Sequence, residues 1–320
     1  MTSSNKRTVM IALGGNALSP KGEAGTIKQQ FSHTRQSLQG VMHFVRKDYN
    51  ICITHGNGPQ VGDELRRNEI SADQIPPLPL GVLVANTQGA IGYMIQQSLQ
   101  NAIYSENTDR EVVSFISQVK VDRNDPDIQH PSKFIGRRYT KEQAEKYARD
   151  YNWVLREQEL GEWRRVVPSP QPLYIFNGKS IKHLVDFGTI VIAGGGGGIP
   201  AYNEADGRLE GLDGVIDKDK SAALLGRIIK AQEMFIVTDV SNIYLNYKKP
   251  NQKTIQRATC SEIKQYLAEG HFQKGSMSPK IKAAIYFLSY HGERVIITSI
   301  DCIEAALEGR DGTEIVRDPD

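Results

Sequence analysis

The chain of 320 residues lacks the features that mark several common protein classes. Its three cysteines lie far apart and none forms a Cys-x-x-Cys pair, so neither a disulfide framework nor a zinc site is expected. Its net charge of only +2 argues against bulk attraction to nucleic acid or to a membrane surface. The apolar stretch near the N-terminus is too short for a signal-peptide core, which together with reduced thiols predicts a cytoplasmic location.

Long hydrophobic runs are also missing. The most apolar region, residues 78–94, carries Asn86, Thr87 and Gln88 near its centre. A membrane-spanning helix would hardly carry three such polar side chains there. The region therefore predicts a buried helix or a subunit interface.

Two common nucleotide-binding motifs fail in this chain. Gly178-Lys179-Ser180 has the end of a Walker A motif, but Leu173 stands where the motif needs its earlier glycine. The dinucleotide fingerprint Gly-x-Gly-x-x-Gly fails as well, because Ile199 and Val61 stand where its last glycine would be. A nucleotide site is therefore expected to have another design.

What the chain does contain is a set of turns, three of them rich in glycine, that directly follow short apolar or β-branched runs. Glycine allows backbone N–H groups to converge on an oxyanion without interference from a Cβ atom. Turns of this kind at the ends of strands predict a wide anion-binding crevice suited to phosphate chemistry. The runs are residues 8–13, 51–54, 189–193 and 235–237.

The order of apolar patterns predicts the fold class. Strand and helix signals alternate through most of the chain, which is typical of a three-layer αβα sandwich around a mostly parallel sheet. We expect an N-terminal lobe over residues 1–210 and a C-terminal lobe over residues 211–320. Residues 118–172 break the alternation, hold both tryptophans and carry many arginines. An insertion of this length favours a protruding lid, with an excursion of no function as the alternative.

Lysines in the last third give the strongest local signal for an anion. Lys218 belongs to the run of alternating charges at 217–220, just ahead of a helical pattern. Lys280 follows Pro279 and the Gly275-Ser276 turn, in the first turn of another predicted helix. A lysine adds positive charge to a helix end that is already positive, which favours a bound phosphate there over a solvated surface lysine.

Short segments spread over nearly the whole chain carry a further signal through their order. They are residues 12–18 (ALGGNAL), 54–62 (THGNGPQVG), 88–94 (QGAIGYM), 164–170 (RRVVPSP), 195–200 (GGGGIP), 215–219 (VIDKD), 238–240 (TDV), 244–247 (YLNY) and 270–280. In this order the chain resembles the carbamate kinase family, within the amino-acid kinase fold.

The resemblance implies reversible phosphoryl transfer, in which carbamoyl phosphate and ADP give carbamate and ATP, with Mg²⁺ accompanying the nucleotide. It also implies a homodimer, for which the apolar helix over 82–94 is a candidate contact, and a place in the arginine deiminase pathway of arginine metabolism. Carbamate is already an anionic nucleophile, so the reaction needs alignment and charge cancellation and no general base. Lysines and backbone N–H groups supply both.

Site residues follow from the resemblance position by position. Lys218 and Lys280 would bridge the transferred phosphoryl group, Asp219 would orient them, and Lys133 would reach down from the lid. The acceptor side would be formed by Gly14, Gly15, Asn16, Gly56, Asn57, Gly58, Gly196 and Gly197. The nucleotide side would be formed by Thr238, Asp239, Tyr244, Tyr247 and Met277. Purely structural roles remain as alternatives for four of these residues: a helix N-cap for Asp219, a turn residue for Asn16, and core or strand packing for Tyr244 and Tyr247.

The chain departs from the family pattern in the lid, at Phe134, Arg137 and Arg138. Two added arginines near the acceptor end favour either a changed acceptor or added phosphate contacts. Two other functions therefore stay open beside carbamate kinase. One is an enzyme of the same fold with another acidic acceptor, and the other is a nucleotide-binding regulator that has lost turnover. The intact lysine–aspartate set argues against the regulator.

Overall fold

The computed structural model describes residues 6–20, 22–272 and 277–319. Its strands are β1 (Thr8–Leu13), β2 (Asn50–His55), β3 (Val112–Ser114), β4 (Gln118–Lys120), β5 (Lys133–Tyr139), β6 (Leu155–Glu159), β7 (Glu162–Val167), β8 (Tyr174–Ile175), β9 (Ile190–Ile192), β10 (Ile199–Asn203), β11 (Leu209–Gly211), β12 (Glu233–Thr238), β13 (Ile243–Leu245), β14 (Lys253–Ile255), β15 (Arg257–Thr259), β16 (Arg294–Ser299) and β17 (Thr313–Val316). Its α-helices are α1 (Gly15–Leu18), α2 (Ile27–Arg46), α3 (Gly58–Ser71), α4 (Leu80–Ser105), α5 (Pro126–Gln129), α6 (Lys141–Tyr151), α7 (Gly178–Phe187), α8 (Lys218–Ile228), α9 (Cys260–Ala268), α10 (Met277–Leu288) and α11 (Ile303–Leu307).

The central sheet has eight strands in the order β15-β17-β16-β12-β1-β2-β9-β3. Neighbouring strands are parallel except for β16 and β17, which are antiparallel. The mostly parallel sheet expected from the sequence is therefore confirmed. Four neighbouring strands, β1, β2, β9 and β3, come from the first 210 residues, and the other four come from the rest of the chain. The two groups of strands therefore meet where β1 pairs with β12.

Helices cover both faces of this sheet. Along β1, Met10 and Ala12 face one apolar cluster, whereas Val9, Ile11 and Leu13 face another. The first cluster is completed by α7, α8, α9 and α10, and the second by α2, α4 and α11. A parallel strand that is buried on both faces is expected to be apolar at every position, as β1 is. The predicted three-layer αβα sandwich is confirmed.

Local sequence signals set the bounds of α2. Thr26 caps the helix and forms a capping box with Gln29, in which each side chain accepts a hydrogen bond from the other residue's backbone N–H. Leu38, Val41 and Val45 repeat at helical spacing and are buried against the sheet. The sequence predicts a helix over about 26–47, and the structure differs only in treating those end residues as caps.

The region predicted as a lid contains its own three-stranded antiparallel sheet, in the order β5-β7-β6, together with α6. Ile135 and Val167 of this sheet pack against α3 and α4 of the body. The start of the region differs from the prediction, because β4 belongs to a separate four-stranded sheet of order β11-β10-β4-β8. Asp127 accepts a hydrogen bond from the backbone N–H of Ser169, which joins the two ends of the insertion at its base.

The three polar residues inside the apolar region 78–94 lie on α4. Thr87 and Gln88 are buried. The Thr87 hydroxyl accepts a hydrogen bond from Asn57 Nδ2 at 2.9 Å, and Gln88 Oε1 accepts one from the Ser117 N–H at 2.7 Å. These side chains thus support the turns at the ends of the strands. Within the described ranges, no helix has both the length and the apolar content needed to cross a membrane.

A charged cluster connects the amino ends of the central strands, at the opposite end of the sheet from those turns. Glu233, at the start of β12, accepts hydrogen bonds from Arg294, Arg7 and Tyr49 at 2.7–2.9 Å and is almost fully buried. Burial alone would raise the pKa of Glu233, but its contacts with Arg294, Tyr49 and Arg7 hold the pKa below the ordinary value.

We expect Glu233→Gln to lower the free energy of unfolding by about 3 kcal/mol, because it removes the buried carboxylate that Arg294 and Arg7 share and leaves the half-buried Arg294 with the longer 3.5 Å contact to Glu314. Urea denaturation at pH 7 measures this loss, with Glu293→Gln, an exposed partner of Arg7, as the matched control. Since folding depresses the pKa of Glu233, its contribution is complete above about pH 4.3 and is lost as the pH falls below that value. Equal stability of the two variants would contradict the assignment.

Candidate active site

A polar cavity lies at the carboxyl ends of the central strands, where an open α/β sheet is expected to bind its ligand. It has a volume of about 500 Å³. The turns that follow β1, β2, β9 and β12 line it. The start of α8 and Lys280 of α10 form one side, and β5 and β7 of the lid close another. The turns that were predicted from four separate sequence segments therefore meet at one place.

Two glycines are required by close backbone approach. A Cβ atom on Gly56 would lie 2.6 Å from the Gly15 backbone nitrogen, so the first two turns touch through their main chains. Gly197 has a φ of +93°, and a Cβ there would lie 2.3 Å from the carbonyl oxygen of Ile216. Backbone N–H groups can gather around one small volume because these positions have no side chain.

Two lysines and one aspartate form the charged centre of the cavity. Lys218 Nζ lies 3.1 Å from Asp219 Oδ1, and Lys280 Nζ lies 3.2 Å from Asp219 Oδ2. Burial alone would raise the pKa of Asp219, but the charges of Lys218 and Lys280 outweigh it and hold the pKa below its ordinary value. Burial lowers the pKa of Lys218, although the adjacent carboxylate counteracts it. The carboxylate thus holds two cations of separate helices in fixed positions.

A third lysine reaches this centre from the lid. Lys133, the first residue of β5, donates a hydrogen bond from Nζ to Asp217 Oδ2 at 3.2 Å. Asp217 is the N-cap of α8, and its other oxygen accepts from the backbone N–H of Asp219 at 3.0 Å. The lid cation and the start of α8 are therefore joined through one side chain.

His55 stands behind the glycine turns at the end of β2. It is buried, and its Nδ1 lies 3.1 Å from the carbonyl oxygen of Gly56. Burial, reinforced by the charge of Lys218, lowers the pKa of His55 to about 4. The imidazole is therefore neutral at physiological pH, and it packs against the backbone of Gly195.

The comparisons with known proteins agree on one family. The amino acid kinase family model matches residues 7–299. Carbamate kinase of Thermococcus kodakarensis is 43% identical over 315 residues, which cover 98% of this chain and all of that protein. The chain belongs to the carbamate kinase family. The enzyme is therefore a phosphotransferase.

Other carbamate kinases give the same result. That of Pyrococcus furiosus is 40% identical over 312 residues, which cover 97% of this chain and 99% of that protein. Among solved structures, the carbamate kinase from Giardia lamblia bound to AMP-PNP superposes with a TM-score of 0.92 at 38% identity, covering 99% of this chain and all of that one. The amino-acid kinase fold predicted from the sequence is confirmed.

Most residues that the carbamate kinase resemblance selects line the cavity. They are Gly14, Gly15, Gly56, Asn57, Gly58, Lys133, Gly196, Lys218, Asp219, Thr238, Asp239 and Lys280. Gly197 lies behind this wall. Tyr244 and Tyr247 stack on each other near the β13–β14 hairpin, 5.7 Å apart, and do not line the cavity as described. Neither does Met277, the first described residue of α10. The side chain of Asn16 and the Gly275-Ser276 turn fall outside the described residues.

The N-cap of α8 corrects one structural alternative. The sequence allows Asp219 as the cap, but the structure shows Asp217 in that role and Asp219 inside the first turn. The reason is that α8 begins at Lys218, inside the charged run that the sequence places ahead of the helix. Asp219 is thereby free to pair with both lysines.

The added arginines of the lid turn away from the cavity. Arg137 pairs with Glu69 of α3 at 3.0 Å, and Arg138 pairs with Glu159 and Glu162 within the lid. Neither lines the cavity, whereas Phe134 does. The departure at Arg137 and Arg138 therefore changes how the lid is fastened, and the departure at Phe134 changes the cavity wall itself.

Three residues at the site were not selected from the sequence: Asp217, His55 and Arg164. Asp217 and His55 lie within the segments that carry the resemblance, yet nothing in the pattern distinguishes a cap or a packed histidine from its neighbours. Arg164 lines the cavity from β7. Arg164 is the first residue of the segment 164–170 that carries the resemblance, but the sequence does not distinguish it from Arg165, which the structure turns toward Asp213.

Proposed function

We propose that this enzyme catalyses reversible phosphoryl transfer, in which carbamoyl phosphate and ADP give carbamate and ATP. The convergence of Lys133, Lys218 and Lys280 with the glycine turns on one cavity carries this proposal. The identity of about 40% with carbamate kinases over nearly the full length supports the same reaction. We further propose that residues 1–210 form the acceptor side and residues 211–320 the nucleotide side, since the cavity lies where the two groups of strands meet.

The chemistry follows from charge and alignment. In ATP formation a β-phosphate oxygen of ADP attacks and carbamate leaves, and in the reverse direction carbamate attacks as an oxygen anion. Both nucleophiles are already anionic, so neutral His55 is not needed as a base. Lys218 and Lys280 cancel the charge that spreads over the transferred phosphoryl oxygens, while Lys133 adds a third cation from the lid. Asp219 fixes the two body lysines, so that little reorganisation is needed when the charge moves.

The nucleotide is proposed to enter beside Thr238 and Asp239. Its purine end would extend toward Tyr244, Tyr247 and Met277, beyond the described cavity. The Giardia carbamate kinase structure holds AMP-PNP, which supports a nucleoside triphosphate as ligand. Asp239 is exposed, lines the cavity and makes no ion pair among the described residues, so it fits a Mg²⁺ ion that is otherwise held by phosphate oxygens. Such an ion would neutralise charge on the nucleotide phosphates.

The direct test is to mix the purified protein with carbamoyl phosphate and Mg²⁺-ADP and to measure ATP. We expect ATP to accumulate in proportion to enzyme. If an amino-acid carboxylate or a nucleoside monophosphate is phosphorylated instead, the acceptor is a different one. ADP binding at micromolar affinity without transfer to any acceptor would indicate a regulator.

We also propose a cytoplasmic homodimer. Tyr93 and Val82 of α4 are 59% and 42% exposed, whereas Leu83, Val84 and Ile91 of the same helix are buried. Tyr93 lies next to Ser114 of β3, which is the edge strand of the central sheet. Light scattering of the purified protein, compared with Tyr93→Glu, tests the assembly.

We expect Gly56→Ala to lower turnover roughly 100-fold, because the new Cβ would push the first two turns apart and misplace the substrate. Gly211→Ala is the control, since a Cβ there meets nothing within 4 Å. ATP formation and the melting temperature of both variants would be compared. Full activity of Gly56→Ala would show that the contact between the turns is not needed.

A further inference from the structure

The lid contributes a cation to the cavity that is additional to Lys133. Arg164 lies in the middle of β7 and lines the cavity together with Phe134 and Gly136 of β5. Its guanidinium carbon lies 5.9 Å from the centroid of the Phe134 ring. The side chain therefore belongs to the part of the cavity wall that the lid forms.

The hydrogen bonds of Arg164 leave its charge uncompensated. Nη2 donates to the Gly136 carbonyl at 2.8 Å and Nη1 donates to Gln158 Oε1 at 3.1 Å, both neutral acceptors. Its Nε is buried without a partner among the described residues. Burial, together with the nearby charge of Arg138, lowers the pKa of Arg164.

Three other arginines of the lid differ in this respect. Arg137, Arg138 and Arg165 each pair with a carboxylate in the described chain, namely Glu69, Glu159 with Glu162, and Asp213. A desolvated guanidinium without an anion is unfavourable, and such a group is stabilised when an anion arrives. Two neutral acceptors meanwhile hold the fork in one orientation.

We propose that Arg164 binds the anionic oxygen atoms of the acceptor-side substrate, which are those of the phosphoryl group in carbamoyl phosphate or of the carboxylate in carbamate. The inference rests on the proposed function. It assigns to the lid a second substrate contact, in addition to Lys133, and places that contact next to Phe134, where this chain departs from the family pattern.

Two substitutions separate charge from hydrogen bonding. Arg164→Lys keeps the charge but loses the fork, whereas Arg164→Gln keeps a neutral donor for the Gly136 carbonyl and loses the charge. We expect Arg164→Gln to raise the KM for carbamoyl phosphate, carbamate or both at least ~10-fold, with the KM for ADP unchanged, and Arg164→Lys to retain most of the affinity. The control is Arg156→Gln, at the exposed position that pairs with Arg164 across β6 and β7.

Comparing KM values in the two directions of the reaction identifies which substrate oxygen atoms Arg164 contacts. A raised KM for carbamoyl phosphate alone assigns the contact to the phosphoryl group, and a raised KM for carbamate assigns it to the carboxylate. Wild-type affinity in Arg164→Gln would overturn the proposal. So would equal losses in the Lys and Gln variants, because they would mean that the positive charge at position 164 makes no difference to substrate binding.

Binding gives a readout that does not need turnover. Inorganic phosphate and acetate, titrated calorimetrically into wild type, Arg164→Gln and Arg156→Gln, should show weaker binding of at least one anion only in Arg164→Gln. If wild type forms no ATP from carbamoyl phosphate, the proposed function fails, while this loss of anion binding would still support Arg164 as the contact. Unchanged binding of both anions would overturn it.

Discussion

Lys218→Ala and Lys280→Ala are each expected to lower turnover at least ~100-fold, which is the usual loss when one preorganised charge contact is removed. The two ammonium groups lie on opposite oxygens of Asp219 and face the same cavity. Both would contact the phosphoryl group most strongly when its charge is spread in the transition state. The turnover number should therefore fall more than the KM values rise.

Lys282→Ala is the control for this pair, because Lys282 is exposed on the same helix as Lys280. The double variant should lose less than the product of the single losses, since the two lysines act on one group. Steady-state ATP formation is measured for all four variants and for wild type. Near-normal turnover in both single variants would refute the phosphoryl-transfer mechanism.

Asp219→Asn is expected to reduce both stability and activity. The carboxylate is buried and is within 3.2 Å of two ammonium groups, so its removal leaves two like charges facing each other. The loss of a buried partner costs about 3 kcal/mol in the free energy of unfolding. We expect turnover to fall by a similar factor to that of the lysine variants, because the lysines would no longer be held in position.

Asp206→Asn serves as the reference, since Asp206 pairs with Arg208 on an exposed hairpin and a surface pair of this kind contributes little. Urea denaturation and ATP formation would be measured on the same preparations. If Asp219→Asn is as stable and as active as wild type, another group must hold Lys218 and Lys280.

The sequence predicted the layers of this fold because strands and helices have different apolar periods. The buried run of β1 and the helical spacing in α2 are local patterns, and the elements appear within a few residues of the expected bounds. The short hairpins β10–β11 and β13–β14 were not predicted, since their strands of three to five residues carry little pattern. The glycine turns were found because glycine next to a strand end is itself an unusual local signal.

By itself, the sequence determined which residue types follow each strand, and hence that a phosphate-binding crevice with lysines was to be expected. Only the tertiary structure decided which side chains meet: Lys280 is 61 residues away from Asp219, and Lys133 is 84 residues away from Asp217. It also turned Arg137 toward Glu69 and left Arg164 in the cavity wall. The direction of a side chain depends on the packing of distant elements around it, and no local pattern contains that information.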